Sequence, residues 1–214
     1  MPREFSNLEL QARSWFGFNK PLFFILLCVV YLLLFYVQQN FIVDEIAAFK
    51  FLEGPQALIF KIIASLNMLS IPVVYAIKFT IVGFVLWVGC FMWGYNVNFY
   101  KCWNIAMIAE LVFFVPTIIK IFWFMFIETD PTYWEYDSFY PLSLMNFYEY
   151  SEVPKKYWYV NQQLNVFELA YWVVLTYGVD FAARKKKSVA NAIVATSYVP
   201  LFLLWLWFYL GVAE

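Results

Sequence analysis

Five stretches of this chain are too long and too apolar to be hidden inside a water-soluble fold of its size. Residues 21–37 (PLFFILLCVVYLLLFYV) hold no charged side chain, and residues 72–95 are interrupted only by Lys78. Residues 103–127 enclose Glu110, Pro116 and Lys120, residues 164–181 carry Glu168 near their start, and residues 189–210 include Pro200. A helix crosses hydrocarbon with roughly 17–25 predominantly apolar residues, and each run approaches or exceeds that length. Barrel strands alternate apolar and polar residues over about ten positions, and these runs do not. The expectation is an all-α chain, a polytopic transmembrane helical bundle of about five spans.

Composition agrees. Hydrophobic residues make up 64% of the 214 and charged residues 14%, against roughly 45–50% and 25% in soluble domains. The length suits a short cytoplasmic segment over residues 1–20 and a single transmembrane domain over residues 21–214. Arg3, Arg13 and Lys20 precede the first run, and Gln38, Gln39 and Asn40 follow it where a cleaved leader would end in small residues. The run therefore reads as a signal anchor and first span.

Two connections are long. In residues 41–71, FIVDEIAAFKFL and ALIFKIIASLNM place apolar residues at helical spacing with a charge or two opposite, the pattern of helices lying in the membrane interface. Gly54-Pro55 divides them. The alternative is that residues 57–77 run straight into the second span as one rod, although Pro72 favours a bend. Residues 128–163 are acidic and rich in Tyr and Trp, side chains that favour the headgroup layer. A short helix is expected there from Pro141 to before Pro154.

Lysine and arginine at helix ends set orientation. Arg184, Lys185, Lys186 and Lys187, between the fourth and fifth spans, belong on the cytoplasmic side. Counting back places Lys101 and the N-terminal cations there too. The N-terminus is then cytoplasmic and the C-terminus outside, in a membrane expected to be the bacterial inner membrane. The acidic residues of both long connections fall on the outer side.

A charge at mid-bilayer costs at least about 2.5–3.5 kcal/mol, so it is paired, snorkelling or functional. Lys78, Lys120 and Glu168 are expected at similar depth in the outer half, as one polar cluster. Glu110 is expected in the inner half without an evident partner. Such groups can form an ion- or proton-linked site, or fix helix register. The basic turn at Arg184–Lys187 can bind anionic lipid or simply fix topology. The aromatic outer connection, with Trp134, Tyr136, Tyr140, Tyr148 and Trp158, is a possible docking surface. Asp130, Glu135 and Asp137 match no calcium-loop spacing, so no metal site is expected.

The chain has no histidine and no Walker A sequence. Without them there is no HExxH pair, no Ser–His–Asp set and no nucleotide cradle. No enzyme activity and no cofactor are expected. Net charge is −1, which offers no basic field for nucleic acid. Cys28, Cys90 and Cys102 sit in or beside apolar runs at no zinc or redox spacing, and read as small buried hydrophobes.

FYPLSLMNFYEY at 139–150, followed by NVFELAYWVVLTYGVDFAARKKKSVANAIV at 165–194, resembles the Yip (Ypt-interacting-protein) family of five-helix membrane proteins. The resemblance implies five crossings with a cytosolic N-terminus. Eukaryotic members have a longer cytosolic N-terminal region and work in vesicle traffic with prenylated small GTPases. This chain has about twenty residues before its first span, which points to a bacterial-type member and sets the GTPase role aside. The expected function is an accessory or scaffold subunit of an inner-membrane assembly, its partners lipid and other membrane proteins. The alternative is a small-solute or lipid transporter that uses the intramembrane charges.

Overall fold

The computed structural model describes residues 19–50, 54–183 and 187–212. Arg184, Lys185 and Lys186, and the side chain of Lys187, lie outside the described residues, as do Arg3, Arg13 and Glu53. The fold is all-α. Helix α1 (Lys20–Gln38) runs on into a π turn at Gln39–Val43 and is followed by the short α2 (Ala47–Lys50). Helix α3 spans Pro55–Met92. Helix α4 (Phe99–Ala109) passes through a 3-10 turn at Glu110–Phe113 into α5 (Phe114–Phe122) and a π turn at Trp123–Ile127. The connection that follows holds α6 (Tyr133–Ser138), a 3-10 turn at Leu144–Phe147 and α7 (Lys155–Gln163). Helices α8 (Val166–Ala183) and α9 (Lys187–Val212) complete the described chain.

Five helical segments are long and apolar enough to cross a membrane: Lys20–Val43, Pro55–Met92, Phe99–Ile127, Val166–Ala183 and Ser188–Val212. Only 17% to 39% of the residues in their most apolar windows are buried inside the protein. Leucines, isoleucines and aromatics such as Leu69, Phe91 and Trp207 point outward instead. A water-soluble monomer rarely exposes an apolar patch above a few hundred Å². Lipid is therefore the solvent for these surfaces, and the chain is a multi-span helical membrane protein.

Gly54 breaks the first connection as its sequence implies. Its φ is +68°, which costs glycine nothing, and Pro55 takes the first helical position, where no N–H is needed. Beyond it, residues 57–71 do not form a separate interfacial helix. They join the span as a single 38-residue helix with Pro72 inside. Proline forfeits one backbone bond and crowds the preceding turn, but lipid supplies no alternative donor to a broken helix, which favours continuing it. At 1.5 Å per residue α3 is about 57 Å long, well beyond the roughly 30 Å of hydrocarbon.

The helix expected from Pro141 is also absent. The segment makes a tight turn with Leu142 at φ +53°, an isolated antiparallel bridge between Ser143 and Asn165, and one 3-10 turn. Leu144 N–H donates to the Leu164 carbonyl and Val166 N–H to that of Leu142. Those cross-chain bonds replace the helical ones.

The chain divides into two compact units. The first comprises the described parts of Met1–Leu27, with Ala76–Leu111 and Ala170–Trp207. Its helices approach closely where glycine allows it. A Cβ on Gly178 of α8 would lie 2.4 Å from Ile105 Cγ2 of α4, and one on Gly83 of α3 would lie 3.0 Å from Trp103 Cα. Phe79, Leu86, Tyr171 and Leu175 are fully buried in this unit. The second unit comprises Cys28–Tyr75, Val112–Leu169 and the described part of Phe208–Glu214. In it Ile42, Ile121 and Phe124 form a core with Leu34, Trp123 and Phe139 packed on it.

Candidate functional site

In the first unit the chain buries an ion pair. Lys78 Nζ lies 2.7 Å from Glu110 Oε1. Glu110 is 1% exposed, and the Lys78 side chain is 37% exposed. Glu110 ends α4, and its N–H donates to the carbonyls of Ala106 and Ile108 as the helix tightens into the 3-10 turn. The tightened turn fixes the direction in which the carboxylate leaves the backbone. The Tyr171 ring, wholly buried, has its centre 6.0 Å from Lys78 Nζ, within cation–π range. Asn104 and Asp180 are buried in the same unit, and Asn104 Oδ1 has no hydrogen-bond partner among the described residues. The Cys90 and Cys102 thiols are also buried there.

Glu110, expected from sequence to stand without a partner, therefore has one. Lys120 lies in the second unit, where Nζ donates to the Tyr136 carbonyl at 2.7 Å and sits 4.1 Å from the centre of the Tyr136 ring. A carbonyl and a ring face satisfy an ammonium without a carboxylate. Glu168 is buried at the start of α8, where its N–H is held by Asn165 Oδ1 at 2.8 Å. That bond is an N-cap, with Asn165 satisfying a donor that the first turn leaves free.

The connection between the third and fourth spans is a small folded cap. Thr132 and Glu135 form a capping box at the start of α6. That use of Glu135 takes it away from the carboxylate set Asp130, Glu135 and Asp137, and among the described residues no group of acidic or sulfur ligands is placed to hold a metal. Trp158 of α7 is buried rather than displayed. Its indole donates to the Val153 carbonyl, and its ring meets Trp134 and Tyr150 edge-on at 6.1 and 6.2 Å. Tyr136 is likewise turned in, under Lys120 and against Phe124. Burial pushes the Tyr136 phenol well above the ordinary tyrosine range, and the Asp137 carboxylate adds to it. Trp134 and Tyr148 remain exposed, and Tyr140 is half-buried, its carbonyl accepting from Ser143 Oγ. Lys155 Nζ lies 4.2 Å over the Trp134 ring. Of the five aromatics expected to form a docking surface, Trp134 and Tyr148 are left to face outward.

No sequence pattern singles out Tyr171, Asn104 or Asp180 as a set. Asp180 alone carries a usable signal, a carboxylate inside an apolar run. A tyrosine or asparagine within a span carries none until its neighbours are known.

Compared with protein-family models, with curated proteins and with solved structures, the chain matches none.

Proposed function

We propose that this is a non-enzymatic membrane scaffold, an accessory subunit that acts through contacts made by the cap between its third and fourth spans. The observation that carries the reading is how that cap is built. A link between two helices needs only a few residues. Here two short helices, a capping box and a buried tryptophan hold residues 132–163 in one shape, and leave Trp134 with Lys155 across its face exposed. Tryptophan backed by a fixed cation is the kind of anchor on which protein contacts concentrate. Within the proposal the N-terminus and the basic turn at 184–187 face the cytoplasm of a bacterial cell and the cap faces outward, on the lysine and arginine distribution. Membership of the Yip family also belongs to the proposal, on residues 139–150 and 165–194 alone.

Purification from the native membrane in mild detergent tests the reading. A stoichiometric membrane-protein partner should accompany the protein and be lost from the Trp134→Ala, Lys155→Ala double variant while the variant itself stays folded. The second reading, transport, is favoured by the Lys78–Glu110 pair within the spans. A partnerless protein that moves solute or lipid across liposomes, and stops when Glu110 becomes Gln, would establish it and remove the first.

A further inference from the structure

At the bridge that heads α8 the usual polarity is reversed. Ser143 and Asn165, the two residues of the bridge, face inward at 1% and 7% exposure. Around them Leu142, Leu144 and Val166 face outward at 59%, 42% and 53%, and Phe147 is 82% exposed. A turn washed by water shows the opposite arrangement, with serine and asparagine outside and leucine inside. The backbone repeats the point. Leu142 has φ +53°, a left-handed conformation usually given to glycine or asparagine because a Cβ is crowded there. This chain accepts the crowding and keeps an exposed aliphatic side chain there.

The patch is continuous with a surface already assigned to lipid. Val166 is the first residue of a membrane span, and Leu169, one turn further, is exposed on the same helix. The two backbone bonds from Leu142 and Leu144 to Val166 and Leu164 fix the turn against the helix end. We infer that residues 142–148 are a lipid contact, with Leu142, Leu144 and Phe147 set into the boundary between acyl chains and headgroups. Tyr148, exposed beside Phe147, is the residue type that prefers the headgroup level. The cap is then held against the bilayer on one side by this turn, whether or not a protein docks on it elsewhere.

A spin label tests this in the full chain. Phe147→Cys and, as a water-side reference, Glu152→Cys are labelled separately and reconstituted in vesicles of phosphatidylcholine and phosphatidylglycerol. The unsubstituted chain measures any labelling of the buried Cys28, Cys90 and Cys102. Near-ultraviolet circular dichroism confirms that each variant is folded. Oxygen concentrates in lipid and a neutral nickel chelate in water. At position 147 the ratio of oxygen to nickel relaxation should exceed one, and at 152 it should fall below one. A nickel-dominated label at 147 would overturn the inference. So would shielding from both relaxants, which is the mark of a second protein seated on the turn.

Discussion

A carboxylate with almost no exposed surface must either lose its charge or hold a cation, and Glu110 holds Lys78 at 2.7 Å. The two partners are not equivalent. Lys78, over a third exposed, can swing its ammonium toward water or lipid phosphate when its partner is removed, whereas Glu110 cannot move. Lys78→Met should therefore destabilise the protein by about 3 kcal/mol, at the low end for a broken buried pair, and Glu110→Gln by clearly less. Adding Glu110→Met to Lys78→Met should recover most of the loss. Unfolding titrations in detergent micelles measure all three. Equal losses for the single variants would show that Lys78 is as confined as its partner. Tyr136 makes a second residue-scale prediction. Its raised phenol stays neutral in the folded cap, while in the unfolded chain it ionises near pH 10. Its contribution is complete below that pH and is lost as pH rises toward the folded value, because the unfolded state alone releases the proton. The near-ultraviolet circular dichroism of the cap should fade above about pH 10. It should persist to higher pH in Tyr136→Phe, which keeps the ring beneath Lys120.

Among the elements, α8 depends on one side chain for its start. Asn165 Oδ1 caps the Glu168 N–H, and its Nδ2 donates to the Gln162 and Gln163 carbonyls at the end of α7. Asn165→Ala should cost about 1–2 kcal/mol. It should also loosen the Ser143 bridge, seen as faster amide exchange at Leu144 and Val166 than elsewhere in α8. Exchange confined to the helix end without change at Leu144 would show that the bridge stands without the cap.

The spans themselves are legible in the sequence because a run of apolar residues is a signal of length, independent of neighbours. The start of α3 is not. Giving Pro72 the weight of a boundary places Lys78 near the head of its helix and Glu110 at another depth. With α3 beginning at Pro55, Lys78 lies about four turns from the end at Met92, and Glu110 about three turns from the start of α4 at Phe99. The two levels meet across the short link between these helices. Lys120 escapes the sequence for a different reason, since a backbone carbonyl and a ring face are cation partners that no residue pattern announces. The fold of the cap is the least legible part. Its turn is made by backbone bonds between residues about twenty apart, and its aromatics divide into buried and exposed only once those bonds have formed.

At the scale of the whole molecule, the outward-facing apolar surface of five helical segments requires lipid, and five crossings require the chain to leave the bilayer on the side opposite to where it entered. In the proposed orientation, the order of charges along the sequence puts the 184–187 turn on the cytoplasmic face. The most direct measurement fuses a compartment-sensitive reporter ahead of α1 in one version of the protein and after α9 in another, in the intact membrane. Five crossings place the two reporters on opposite sides of the membrane, and the proposed orientation puts the first in the cytoplasm. Both reporters answering from the same compartment would mean an even number of crossings, and one of the five apolar helices would then have to lie along the membrane instead of through it.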